Sequence, residues 1–205
     1  MEIYNLFPGS FGSNCYLLVS GNQAAVVDPS ADADVILQKA AEHGATLQYI
    51  LLTHGHFDHI CSLDTLREKA GIPAYIHTLD ADLVEDAHKN AFFTFFHNYR
   101  TWRRPEKRLN DGDTLALGEI TIRVLHTPGH TNGSVCYDCG GEFLITGDTL
   151  FAQGFGRYDL YGGDPYLLKD SLQKLSAFSK STTIYPGHGS SATLAEALDS
   201  CIYFL

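Results

Sequence analysis

Between residues 53 and 59 the chain reads Thr-His-Gly-His-Phe-Asp-His. His54, His56, Asp58 and His59 thus place three imidazoles and a carboxylate within six residues. Three more donors lie far along the chain. They are His130 in Thr-Pro-Gly-His-Thr-Asn-Gly-Ser, Asp148 in Gly-Asp-Thr-Leu-Phe and His188 in Pro-Gly-His-Gly. Imidazole combined with carboxylate suits Zn²⁺ and related divalent ions. Seven donors are too many for one tetrahedral ion and fit two ions sharing a carboxylate. With Asp58, Asp148 and one hydroxide, such a centre keeps a net charge of about +1, which suits an anionic transition state. Two ions would acidify a water and polarise a carbonyl together.

Such donors need a rigid frame, and each follows a strand-like run: 48–52 before His54, 120–126 before His130, 143–146 before Asp148 and 182–185 before His188. Loops at strand ends are where binding groups gather on a scaffold. Glycine flanks every one of these sites, at Gly55, Gly129, Gly147, Gly187 and Gly189. Further strands are expected at 14–20 and 24–28, with a hairpin at Gly21-Asn22, and at 73–76 and 114–117. A second hairpin turns at Gly140-Gly141. Helices are expected at 31–43, closed by Gly44, along Ile60 to Ala70 before Gly71, at 166–178, and from about Ala192. Each half is therefore a sheet with helices. This predicts an α/β protein (α+β in some schemes), two sheets face to face with helices outside, in one domain spanning 1–205.

Composition narrows the function. Hydrophobic residues make up 44% and charged residues 19%, enough for a sizeable core. The net charge of −10 argues against nucleic acid and anionic membrane as partners. The sequence shows no signal peptide and no apolar run near the roughly 18 residues of a membrane span, so a cytoplasmic location is expected. Five cysteines, an odd number, argue against a disulfide framework. Cys136 and Cys139 form a C-x-x-C, but on a strand their sulfurs would face opposite ways.

The four segments Thr-His-Gly-His-Phe-Asp-His, Thr-Pro-Gly-His-Thr-Asn-Gly-Ser, Gly-Asp-Thr-Leu-Phe and Pro-Gly-His-Gly, in this order, resemble the metallo-β-lactamase superfamily. Within it they look most like the short hydrolases of glyoxalase II (hydroxyacylglutathione hydrolase) type. The resemblance runs from about Asn14 to Gly189. It implies an αββα four-layer sandwich. It implies two divalent ions, zinc first, with iron or manganese as alternatives. His54, His56 and His130 would hold one ion and Asp58, His59 and His188 the other, with Asp148 between them. A hydroxide bridging the ions would be the nucleophile, and Asp58 would act in catalysis by orienting it and taking its proton. Asp28 would stand behind the ligands; its plainer reading is a turn before Pro29. Arg157, in Gly-Phe-Gly-Arg-Tyr-Asp, is the candidate for binding a substrate carboxylate; its plainer reading is an ion pair with Asp159 or Asp164. The implied activity is hydrolysis of a small-molecule thioester, an S-acyl derivative of a small thiol. The alternatives are a persulfide dioxygenase with one iron on His54, His130 and Asp148, or a lactonase or phosphodiesterase. Only 17 residues follow His188, so the helical C-terminal domain of full glyoxalase II is not expected here, which puts glutathione use in doubt.

One segment, about 88–108, stands apart. Six aromatics fall between Phe92 and Trp102, and five of the 14 basic residues between Arg100 and Arg108. It is read either as a lid whose aromatics line an acyl pocket, or as a helical excursion packed on the core or on a second copy in a homodimer.

Overall fold

The computed structural model describes residues 1–6 and 11–204. Twelve strands among these residues form two six-stranded sheets. The first sheet runs in chain order: β1 (Glu2–Asn5), β2 (Tyr16–Ser20), β3 (Gln23–Val27), β4 (Thr46–Leu51), β5 (Ala74–His77) and β6 (Lys107–Leu109). Its first two pairings are antiparallel and the rest parallel. The second sheet joins β7 (Thr114–Leu117), β8 (Ile120–His126), β9 (Val135–Cys139), β10 (Phe143–Gly147), β11 (Thr183–Pro186) and β12 (Ala192–Thr193) in that order. Only β10 with β11 is parallel there. The helices are α1 (Ala33–Glu42), α2 (Leu63–Ala70), α3 (Phe92–Phe96), α4 (Pro165–Leu175) and α5 (Leu194–Asp199).

Strand periodicity sorts the core into three apolar layers. Leu17, Val19, Val26 and Ile50 point outward and pack with Ile36 of α1 and Leu63 and Leu66 of α2. Their neighbours Tyr16, Leu18, Ala25, Val27 and Leu51 point inward and meet Ile122, Val124, Tyr137 and Ile145 of the second sheet. On the far face Leu125, Cys136, Leu144 and Ile184 pack under Leu172 and Leu175 of α4 and Leu194 of α5. Three layers between four ranks of elements are the expected αββα sandwich. Each aliphatic side chain wholly buried in this way contributes about 1.5–3 kcal/mol relative to exposure.

Cys136 lies in the outer layer and Cys139 in the layer between the sheets, so the C-x-x-C sulfurs do diverge. Cys15, Cys136, Cys139 and Cys201 are buried thiols. The turn after Cys139 places Gly140 at φ 63° and Gly141 at φ 74°, left-handed backbone that suits glycine and sets the tight β9–β10 hairpin.

Helix ends differ from the sequence reading by a few residues. Asp32, not Ala31, opens the first helix, accepting from the Asp34 amide at 2.8 Å. Ile60 precedes α2 and ends a 3₁₀ turn over Phe57–His59. Asp164 caps α4, which ends at Leu175 rather than Phe178. Ala192 and Thr193 pair with β11 before a capping box at Thr193 and Glu196 starts α5. Two short strands, β1 and β6, were not expected. β6 takes Lys107 and Arg108, so segment 88–108 is the link that carries the chain from β5 to the sheet edge. Among the described residues no helix is long and apolar enough to cross a membrane.

Candidate metal centre

Parallel pairing of β3 and β4 brings Asp28 beside Thr53, and the Asp28 amide donates to the Leu51 carbonyl at 3.0 Å. Asp28 has a left-handed φ of 51°, which costs a non-glycine residue about 1–3 kcal/mol. Three bonds hold it there. Its carboxylate accepts from the Thr53 amide at 2.8 Å, from Thr53 Oγ1 at 2.6 Å and from His59 Nδ1 at 3.0 Å. Thr53 Oγ1 in turn lies 3.0 Å from His54 Nδ1. With its proton given to Asp28, the hydroxyl accepts from His54 Nδ1. Nδ1 of His54 and of His59 is thereby engaged as a donor, and Nε2 of each faces the other donors.

The other donors come from the second sheet. His130 sits in the β8–β9 loop, Asp148 follows β10 and His188 follows β11. His130 Nδ1 donates to the Arg157 carbonyl at 2.6 Å, and His188 Nδ1 lies 3.2 Å from the Gly12 carbonyl. Backbone bonds join these loops: Gly187 N to Gly147 O at 2.8 Å, Asn14 N to Gly187 O at 2.7 Å and Val135 N to Thr53 O at 2.9 Å. The packing leaves no room for a side chain at Gly187, where a Cβ would meet Asp148 Oδ1 at 2.1 Å.

The donors converge as two triads. His54 Nε2 is 3.3 Å from His130 Nε2, which is 2.9 Å from His56 Nδ1. His59 Nε2 is 3.3 Å from His188 Nε2 and 3.5 Å from Asp58 Oδ2, and Asp58 Oδ2 is 3.2 Å from His188 Nε2. Within each triad the donor atoms lie within 4.8 Å of one another. Asp148 stands between the triads, 3.4 Å from His59, 3.5 Å from His188 and 3.6 Å from His130. Donor atoms of Asp28, His54 and His59 also lie within 4.8 Å of one another. The Asp28 carboxylate already accepts three hydrogen bonds, two from Thr53 and one from His59.

Electrostatics separate the triads. Burial and the neighbouring imidazoles push His54 well down, and burial with His130 takes His56 down to about 3. Burial also lowers His130. At the other triad burial opposes charge but loses. Asp58 and Asp148 lift His59 to about 9, and hydrogen bonds to Asp148 and Asp58 lift His188 to about 11. Burial likewise raises Asp58 and Asp148, but His59 and His188 outweigh it and hold both below the usual carboxylate range.

A divalent ion fits these residues. Asp148 Oδ1 is buried with no hydrogen-bond donor among the described residues. A buried carboxylate oxygen without a donor is costly, and a cation would relieve it.

His56, Asp58, His130, Asp148 and His188 line one cavity of about 510 Å³. Arg157 also lines it, but its guanidinium is forked onto Asp159 at 2.7 and 2.8 Å, as the plainer reading expected. Phe95 and Phe96 of the 88–108 segment line the same cavity, while Trp102 and Phe92 pack on the core. The segment thus sends some rings to the cavity and others to the core.

One supporting residue escaped the sequence reading. Asp80 is fully buried, and burial pushes its carboxyl up to about 6. It accepts from Gly55 N at 3.2 Å, Thr131 Oγ1 at 2.7 Å and Gly133 N at 2.7 Å, tying the His54–His56 loop to the His130 loop. Its one sequence signal is position: it lies just past β5, at a strand end like the other site residues.

The metallo-beta-lactamase superfamily pattern matches residues 8–188, and the chain belongs to that superfamily. Among its relatives is the probable metallo-hydrolase YqgX of Bacillus subtilis, 38% identical over 88% of this chain and 87% of YqgX. The hydroxyacylglutathione hydrolase GloC of Haemophilus influenzae is 31% identical over 91% of this chain and 90% of its own. Among solved structures, BLEG-1 B3 metallo-beta-lactamase superposes with a TM-score of 0.90 at 34% identity, covering 97% of both chains. TTHA1623 in a di-iron-bound form superposes with a TM-score of 0.83 at 33% identity, covering 94% of this chain and 96% of its own. The expected family and sandwich stand, and the cluster supports divalent metals.

Proposed function

We propose that this superfamily hydrolase holds two divalent ions, zinc first, and cleaves thioesters of small thiols. The observation that carries the reading is the pair of triads, joined by Asp148, at the floor of an open cleft. When bound, the ions acidify a water and polarise the substrate carbonyl. His54, His56 and His130 supply neutral nitrogens to one ion, and Asp58, His59 and His188 ligate the other. Asp58 lines the cleft and is held ionised by His59 and His188, so its Oδ2 is placed to accept a proton there. Asp28, directly and through Thr53, orients His59 and His54, and the Arg157 carbonyl orients His130. GloC, named as a hydroxyacylglutathione hydrolase, supports the thioester as the bond cleaved.

A one-iron oxidoreductase would need His54, His130 and Asp148 alone, and would leave the Asp58, His59 and His188 triad without a role. The test is metal content per chain, measured with a panel of thioesters, a lactone, a β-lactam and a persulfide. Two ions per chain with preferred thioester turnover is the expected result. One iron per chain with persulfide-dependent oxygen uptake would refute it.

A further inference from the structure

The cleft is more apolar than a site for an anionic thiol needs to be. Besides the metal donors and Arg157, its lining includes Phe11, Phe57, Phe95, Phe96, Phe151 and Leu160. Phe95 is 50% exposed, Phe96 45% and Phe11 41%. Contiguous exposed aromatics around a cavity mark a binding surface. These rings form one wall: Phe57 lies 5.1 Å from Phe11, 5.6 Å from Phe95 and 5.5 Å from Phe96, centre to centre. Phe57 sits between His56 and Asp58, so the wall begins at the donors themselves. It is also anchored. The Phe57 amide donates to the Asn90 carbonyl at 3.0 Å, the Asn90 side chain bonds the Arg100 carbonyl at 3.0 Å, and the Trp102 amide bonds Val84 O at 2.9 Å. Phe151 adds a ring 6.0 Å from that of His188.

Positive charge is scarce. Arg157 is the one Arg or Lys among the described lining residues. Asp159 occupies its fork, and its guanidinium carbon lies 5.6 Å from the Phe95 ring centre. The two carboxylates of glutathione would find no unpaired Arg or Lys in this lining, on a chain of net charge −10.

Resting on the thioester reading, we infer that the substrate presents an apolar group to this wall, an aromatic or medium-chain aliphatic acyl group beside the scissile carbonyl. A polyanionic thiol such as glutathione is disfavoured. Phe95 and Phe96 set this preference.

The test uses the metal-loaded protein with N-acetylcysteamine thioesters of acetate, butanoate, hexanoate and phenylacetate, beside S-lactoylglutathione. The expected kcat/KM rises about two- to fourfold per added methylene, with hexanoate and phenylacetate at least about tenfold above S-lactoylglutathione. In Phe95→Ala/Phe96→Ala the ratio of hexanoyl to acetyl kcat/KM collapses; in Phe95→Leu/Phe96→Leu it largely survives. These rings are exposed, and an unchanged melting temperature verifies that each variant folds.

Flat turnover along the series, or a preference for S-lactoylglutathione, overturns the inference and leaves thioester hydrolysis standing. If no thioester is cleaved, the thioester reading falls instead. The inference then rests on calorimetric binding of the matching uncleavable ketones. Affinity that rises with chain length and flattens in the alanine variant sustains it, and flat affinity in the wild type overturns it. A gradient that survives in the alanine variant, together with loss of a dimer, assigns the rings to subunit contact and also overturns it.

Discussion

The two triads share a floor and one carboxylate, Asp148, yet they are chemically unlike. His54, His56 and His130 are buried imidazoles held neutral by burial and mutual repulsion. Asp58, His59 and His188 form a charged set, two raised imidazoles beside a lowered carboxylate. The first is ready for a cation as it stands. The second is balanced internally by protons, and a cation must displace them. The same residue types thus give two different sites because the carboxylates outweigh burial at only one of them.

The strongest way to break this comparison is to remove what the triads share. Asp148→Ala should leave fewer than two ions per chain and lower hydrolysis by at least about 10²–10³-fold, read by elemental analysis and steady-state rates. A variant retaining both ions and near-normal turnover would remove Asp148 from the centre.

Single-triad changes come next. His56→Ala should empty only the neutral site and His188→Ala only the charged one, each leaving about one ion per chain and cutting the rate by about 10²-fold or more. If either change releases both ions, the triads act as one unit.

The supports give smaller effects. Asp28→Asn should weaken metal binding about 10- to 100-fold at both triads, since it holds His59 directly and His54 through Thr53. Thr53→Val removes only the His54 arm, so competition with a chelator should show weakening confined to the neutral triad.

Protons give the gentlest test. Calorimetric titration near pH 7 in buffers of different ionisation enthalpy should show about one to two protons released on filling the charged triad, and almost none at the neutral one. The same shifts govern the metal-free chain. His59 and His188 stand above the ordinary imidazole value of 6.5. Their contribution to stability is fully present below that value and is lost as pH rises through about 9 and about 11. The denaturant midpoint of metal-free protein should therefore fall above neutrality, and that of metal-loaded protein should hold level.

The donors were legible in the sequence because each ends a strong apolar strand, and because glycine marks the loops that must approach closely. The layered fold was legible for the same reason: successive apolar side chains in Tyr16–Val19 and Ala24–Val27 can face only two ways, and both faces are apolar. What escaped depends on distant partners. β1 and β6 are edge strands of four and three residues, with too few positions for a period to show. Asp80 reads as an ordinary turn aspartate, since its three donors come from Gly55, Thr131 and Gly133. Nothing in the order of Phe92 to Phe96 tells which rings face the core and which the cleft; the placement of α3 decides that.

Each triad draws two members from the loop after β4 and one from the second sheet: His54 and His56 with His130, and Asp58 and His59 with His188. A captured cation is thus a rivet through the interface between the sheets. It stabilises only the assembled sandwich, by an amount that grows with the logarithm of free metal over its dissociation constant. Resistance to proteolysis should follow metal supply, so that a starved cell would clear this chain sooner than a replete one.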